Sequence, residues 1–341
     1  MKALVLVDKK RLELKDLPAP VPASGELLVR VKACGICGSD VHGYDGSTGR
    51  RIPPIVMGHE AAGVVDVIGL GVDCFRPGDR VTFDSTIYCG TCEFCRAGRF
   101  NLCDRRRVLG VSCNEYRQDG CFAEFVVVPQ RIVYRLPDSM TFEEGAMVEA
   151  VSIAVHAVGR ARVSGASTLV VGAGMIGQLI IQASRAAGCG KLIAVDLDES
   201  RLERARQFGA DHVFNAALPD LVARIRELTE GGARVAFDAV GISASMETAV
   251  GAAGKGAEVV LVGNISPVVN TPLQLAVTRE LSLLGSCASC GEYPKCLEWI
   301  ARGRIDVRPL ISVVAQLEEG THWFDRLYAG EPGLIKVILK P

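Results

Sequence analysis

The strongest constraint on how this chain folds is the run Gly172-Ala173-Gly174-Met175-Ile176-Gly177, taken with its surroundings. The pattern G-x-G-x-x-G alone says little. Here it follows the strand-like Leu169–Val171 and opens a helix-like stretch, 175–187, and that context marks a dinucleotide-binding turn. Gly172 permits a tight turn, Gly174 lets backbone approach a pyrophosphate, and Gly177 allows close helix–sheet packing. Met175 and Ile176 begin the helix, whose free N–H groups and dipole favour negative charge. Asp196, ending the next strand, is placed to accept hydrogen bonds from an adenosine ribose. Its charge repels a 2′-phosphate, which favours NAD over NADP. The alternative is a glycine-rich turn that binds nothing.

The alternation continues along the chain. Residues 168–171, 191–196, 213–214, 235–240, 258–262 and 281–284 read as six short strands, and 199–208, 219–229 and 244–253 read as helices. That order predicts an α/β fold with a doubly wound parallel sheet of the Rossmann type over residues 151–289. Val262 and Gly263, where the fifth strand ends, are further candidate cofactor contacts. Residues 1–150 have a different texture. Short β-branched runs at 26–32, 63–68, 80–83 and 123–129, broken by Gly and Pro, predict a compact, mostly-β domain. After Cys290, residues 294–302 read as a helix and 333–339 as a strand. This predicts that 290–341 return to the first domain.

Four cysteines, Cys89, Cys92, Cys95 and Cys103, have the spacing C-x2-C-x2-C-x7-C. Tetrahedral zinc takes four thiolates, and two-residue gaps let successive sulfurs turn back on one ion. The alternative is a set of buried or disulfide-bonded cysteines. A closed four-cysteine site leaves no open position, so this zinc is expected to be structural and the chemistry to lie elsewhere. Thirteen cysteines behind an N-terminus without a signal-peptide pattern predict a reducing, cytoplasmic setting. Those not assigned to metals are expected to be small buried hydrophobes. A formal net charge of −1 gives no electrostatic case for nucleic acid or an anionic membrane as a partner, and no stretch reads as a transmembrane helix.

A second constellation is Cys34-Gly35-Ile36-Cys37-Gly38-Ser39-Asp40-Val41-His42, followed by Gly58-His59-Glu60. Cys, His and Glu are all zinc ligands, and three of them with an open position make a catalytic site. Spacing alone does not choose between Cys34 and Cys37. Glu149 lies in the apolar stretch Met147–Val151, where a buried carboxylate needs a partner.

The run Gly58-His59-Glu60-x2-Gly63-x5-Gly69-x2-Val72, the cysteine lobe, the glycine motif and the position of Asp196 together resemble the zinc-dependent medium-chain dehydrogenase/reductase family. Within it they resemble the polyol (sorbitol-like) and threonine dehydrogenase branch. The resemblance covers essentially the whole chain. It implies a GroES-like catalytic domain joined to a Rossmann domain, two zinc ions per chain and a homo-oligomer, dimer or tetramer. It implies Cys37, His59, Glu60 and Glu149 around the catalytic zinc, Glu149 directly or through water. Alcohol dehydrogenases of the family carry Cys at the position of Glu149, so Glu149 points to the polyol branch. Asp40 resembles the carboxylate that orients the zinc histidine. Ser39 and His42 resemble a proton-relay pair, and Arg201 the basic residue beside the adenine ribose. The activity implied is oxidation of a secondary alcohol, a small-molecule polyol or sugar alcohol, to a ketone. A threonine or 2,3-butanediol dehydrogenase is the rival, and a non-catalytic dinucleotide-binding relative is the rival of another class. One departure matters. Sorbitol dehydrogenases tend to carry Arg after the last Rossmann strand, whereas this chain reads Gly285-Ser286-Cys287-Ala288-Ser289, which argues against D-sorbitol itself.

Overall fold

A computed structural model describes all of residues 1–341. The chain forms two compact units.

The first unit comprises Met1–Glu149, Tyr293–Ala301 and Val307–Pro341. Its main sheet has seven strands. At its centre runs Glu26–Gly35, whose residues are mostly buried because the strand is flanked on both sides. Glu60–Ile68 pairs with it antiparallel, in a register that sets Gly35 opposite Glu60 and Cys34 opposite Ala61. Lys336–Lys340 pairs with it too, with Ile338 opposite Gly35, and Ile36 N–H donates to the Val337 carbonyl at 2.9 Å. Three distant stretches, 34–37, 59–60 and 336–338, therefore meet at one strand end. Gly58 turns the chain into this meeting point with φ of 90°. A Cβ there would lie 2.9 Å from the Phe122 ring and 3.0 Å from Cys34 Sγ, so only glycine brings His59 in at that angle.

The core of this unit gathers Leu4, Leu27, Tyr44, Phe122, Phe324 and Leu339. Phe324 packs edge-on to Phe122 at 5.7 Å and beside Tyr44 at 5.4 Å. Each such buried ring contributes roughly 1.5–3 kcal/mol. Phe324 belongs to the helix Gly320–Tyr328, which the patterning of the tail does not reveal.

The second unit comprises Ala150–Glu292 and Arg302–Asp306. Six parallel strands, numbered along the chain, lie in the order 3-2-1-4-5-6, the doubly wound order of a dinucleotide-binding sheet. The core is aliphatic, with Leu169, Val171, Ile193, Val195 and Val259 buried on the strands. Two strands of this sheet depart from the sequence reading by two residues or more. The fourth strand is Ala233–Asp238, because the Asp238 carboxylate accepts the N–H groups of Val240 and Gly241 at 2.9 and 3.0 Å and ends it there. The fifth begins at Ala253, directly after the helix Ser243–Ala252, with Gly254 and Gly256 inside it. The domain division also differs in one place. Residues 302–306 group with the second unit, where Gln182 exchanges two hydrogen bonds with the backbone of Asp306, at 2.7 and 3.1 Å.

Candidate active site

The strand end in the first unit brings together Cys37, His59 and Glu60, whose ligand atoms all lie within 4.8 Å of one another. His59 and Glu60 are buried. Cys37 opens the short helix Gly38–Gly43, just past the central strand. Cys34, by contrast, is fully buried inside that strand and outside the cluster. The geometry thus selects Cys37. His59 Nδ1 is buried without a hydrogen-bond partner, and the nearest carboxylate oxygen, Asp40 Oδ1, is 3.5 Å away. One sulfur, one imidazole and one carboxylate converging on one spot fit a zinc ion of the catalytic type.

Glu149 does not join these three. It sits at the start of the helix Val148–Gly159, outside the cluster of ligand atoms. It stands as a neighbouring carboxyl that interacts electrostatically with His59 and Glu60. Burial, aided by the charges of Glu60 and Asp84, pushes that carboxyl up to about 7, against the pull of His59 and Lys336.

Two buried cations flank the cluster, and neither stands out in the sequence. Arg51 donates to Asp40 Oδ1 from Nη2 at 2.8 Å and from Nε at 3.2 Å. It also reaches Ser39 Oγ at 3.4 Å. Gly43 makes room for it, since a Cβ there would lie 2.4 Å from Arg51 Cγ. Burial pushes the Asp40 carboxyl up, but the charges of His59 and Arg51 outweigh this and hold it well below the usual carboxylate range. Lys336 donates to Glu60 Oε2 at 2.6 Å and to the Ile36 carbonyl at 3.1 Å. Burial works against its charge, and Glu60 and Cys37 more than offset that, so its pKa is raised. Ser39 and His42 lie on the short helix 38–43 with exposed side chains.

Cys89, Cys92, Cys95 and Cys103 form a second cluster on the same unit, also within 4.8 Å. Four sulfurs about 2.3 Å from one tetrahedral ion lie about 3.8 Å apart, and Cys89 Sγ is 3.9 Å from Cys95 Sγ. The backbone N–H groups of Thr91 and Cys92 both donate to Cys89 Sγ at 3.4 Å. Led by the Thr91 N–H, these bonds pull the Cys89 thiol down to about 5. The donor set fits a closed structural zinc. None of the thirteen cysteines forms a disulfide. Cys34, Cys121 and Cys296 are buried as expected of small hydrophobes, but Cys74 and Cys287 are exposed. They lie on loops that no strand or helix covers.

In the second unit the three motif glycines occupy distinct settings. Gly172 has φ of 92°, and a Cβ on it would meet Val240 Cγ2 at 2.4 Å. Gly177 lies against the Gly172 carbonyl, where a Cβ would approach to 1.8 Å. Gly174 faces open space, with nothing within 4 Å of a Cβ, and it caps the helix Met175–Ala186. An open backbone turn of this kind at a helix N-terminus fits a pyrophosphate. The buried Asp196 carboxylate accepts the Ala173 N–H at 2.7 Å and lies 3.8 Å from the half-exposed Arg201. Val262 and Gly263 donate their N–H groups to the Asp238 carbonyl at 3.0 and 2.9 Å, at the same end of the sheet. Sequence reasoning misses Gln178, which is buried and donates to the carbonyls of Ala173 and Arg201 at 2.9 and 2.7 Å. Its one signal is a polar residue on an otherwise apolar helix face.

Residues 23–138 match the alcohol dehydrogenase GroES-like domain, and residues 176–302 match the zinc-binding dehydrogenase family. Sorbitol dehydrogenase of Bacillus subtilis (strain 168) is 33% identical over 350 residues, covering 100% of this chain and 97% of that protein. The crystal structure of a zinc-binding dehydrogenase from Sinorhizobium meliloti 1021 bound to NADP superimposes with a TM-score of 0.91 at 30% identity, covering 100% of this chain and 99% of that one. An alcohol dehydrogenase from E. coli CFT073 complexed with NADH superimposes with a TM-score of 0.92, also at 30% identity and with the same coverage. The chain belongs to the zinc-dependent medium-chain dehydrogenase/reductase family, in its polyol branch. No helix is long and apolar enough to cross a membrane.

Proposed function

We propose that this protein oxidises a secondary alcohol to a ketone, passing hydride to NAD and releasing a proton. The observation that carries this reading is the convergence of Cys37, His59 and Glu60 on one spot, in a chain that also holds the glycine turn at Gly172–Gly177. Cys37, His59 and Glu60 hold the catalytic zinc, and Cys89, Cys92, Cys95 and Cys103 hold the structural one. A zinc ion at the first site supplies Lewis acidity that lowers the pKa of an alcohol toward neutrality.

The chain's own residues do the rest. Asp40, fixed by Arg51, faces His59 and orients the imidazole. Ser39 Oγ accepts the hydroxyl proton as it gives up its own, which would pass by way of the cofactor ribose to the exposed His42 ring and on to solvent. Asp196 receives the ribose hydroxyls, Arg201 stands beside them, and the Gly174 backbone meets the pyrophosphate. A first shell with two polar donors and one thiolate favours substrates with a second hydroxyl beside the reacting carbon, so polyols and vicinal diols rank ahead of simple primary alcohols. We place the protein in the cytoplasm as a homo-oligomer, its cysteines, none in a disulfide, suiting a reducing compartment.

The test is a screen of polyols, diols and amino alcohols with NAD, alongside a metal count. Two zinc ions per chain and fastest turnover on a vicinal secondary alcohol are expected. Ethanol outperforming every diol and polyol would overturn the substrate reading, and a chain that binds dinucleotide but only one zinc would overturn the enzymatic one.

A further inference from the structure

The ion pair between Lys336 and Glu60 is almost completely buried, with side-chain exposures of 3% and 2%. A lysine beside a cation site repels the ion it adjoins, so metal affinity alone does not account for it. Packing alone does not account for it either, because a buried ion pair often adds nothing over apolar side chains of similar volume.

The surroundings show what the pair does. Glu60 Oε2 is held at 2.6 Å by Lys336 Nζ, and that ammonium is itself pinned at 3.1 Å to the Ile36 carbonyl, the residue before Cys37. Gly35 leaves the space for this oxygen, since a Cβ there would lie 2.4 Å from Oε2. One carboxylate oxygen thus has a fitted seat of its own, over Gly35 and against Lys336.

We propose that Lys336 is a positioning residue that restrains Glu60, so that the carboxylate meets the metal through its other oxygen and leaves a coordination position for the substrate. This rests on reading Cys37, His59 and Glu60 as a metal site. The strand Lys336–Lys340 delivers the restraint by its register against Gly35. Without the ammonium, Glu60 turns both oxygens to the ion, which gains a ligand atom and loses a repelling charge.

The test loads wild-type, Lys336→Met and Lys336→Arg proteins with cobalt and follows both release to a chelator and the visible absorption of the metal. Outer-shell partners act on metal sites by about 10–100-fold. Lys336→Met is expected to release cobalt from this site about tenfold more slowly than wild type, with weaker, higher-coordinate absorption and reduced turnover. Lys336→Arg should restore the wild-type spectrum. A purely structural lysine would do the reverse, and faster or unchanged release from folded Lys336→Met protein overturns the proposal. If Lys336→Met does not fold, Lys336→Gln, which keeps a donor without the charge, takes its place under the same criterion. Wild-type protein that holds no metal at Cys37 overturns the site itself. Wild-type protein that holds metal while the variant releases it unchanged overturns only the role of Lys336.

Discussion

Arg51 and Asp40 form a buried, two-pronged ion pair, with both guanidinium bonds falling on the single oxygen Oδ1 that also faces His59 at 3.5 Å. The carboxylate that orients the candidate zinc histidine is therefore itself oriented. Removing the arginine leaves a buried charge without its partner, a loss of about 3–5 kcal/mol. Arg51→Leu is expected to lower unfolding free energy in urea on that scale. Arg51→Leu with Asp40→Asn should recover part of it, and a single variant as stable as wild type would refute the pairing.

The two metal clusters are expected to separate in their effects. Cys92→Ser opens a closed four-sulfur site whose binding energy is folding energy. It should yield a chain with one zinc fewer and a lowered melting temperature. Mild chelation of wild-type protein should instead remove the zinc at Cys37 first and abolish turnover while circular dichroism stays unchanged. A Cys92→Ser protein with wild-type stability and zinc content would contradict the structural assignment.

The Asp196 carboxylate, proposed to receive the ribose, also accepts the Ala173 N–H. Asp196→Ala should weaken NAD binding and relax discrimination against NADP, since it removes an acceptor and a repelling charge together. Ratios of kcat/KM for the two cofactors measure this. Equal wild-type efficiency with both would contradict the assignment.

His156, to which sequence reasoning gives no role, pairs with Glu292 at 2.7 Å within the second unit. Burial pushes the Glu292 carboxyl up, but His156 and the Cys290 N–H outweigh it and hold it below its usual range. A folded value below the unfolded one stabilises the fold above the ordinary carboxylate pKa, about 4.3. That contribution fades as pH falls through the folded value. Wild-type protein should therefore lose more stability than Glu292→Gln between neutral and acidic pH, read from paired melts. Parallel pH curves would show that the pair contributes nothing.

Local features of this chain announce themselves, whereas partners from distant segments do not. The glycines of Gly172–Gly177 carry their geometry in their spacing, and the cysteine lobe closes within residues 89–103, so both are legible. Strand and helix periods likewise place most of the second unit. Arg51 and Lys336 are invisible in sequence because a cation becomes a buried partner only through packing, whether its carboxylate lies 11 residues away, as Asp40 does from Arg51, or 276 away, as Glu60 does from Lys336. The start of the fifth strand is hidden because Gly254 and Gly256 read as breakers. Spacing alone leaves Cys34 and Cys37 open and the resemblance points to Cys37; the central strand buries Cys34 and ends before Cys37.

The return of Lys336–Lys340 to the first sheet also sets an order of events during synthesis. All of the second unit has left the ribosome once Asp306 has emerged, but the central strand Glu26–Gly35 must wait for its neighbour until residue 340 is made. Domains generally fold as units during translation, so the unit encoded later can finish first. The metal site, which needs Lys336 beside Glu60, is then assembled only after every residue of the second unit has been made.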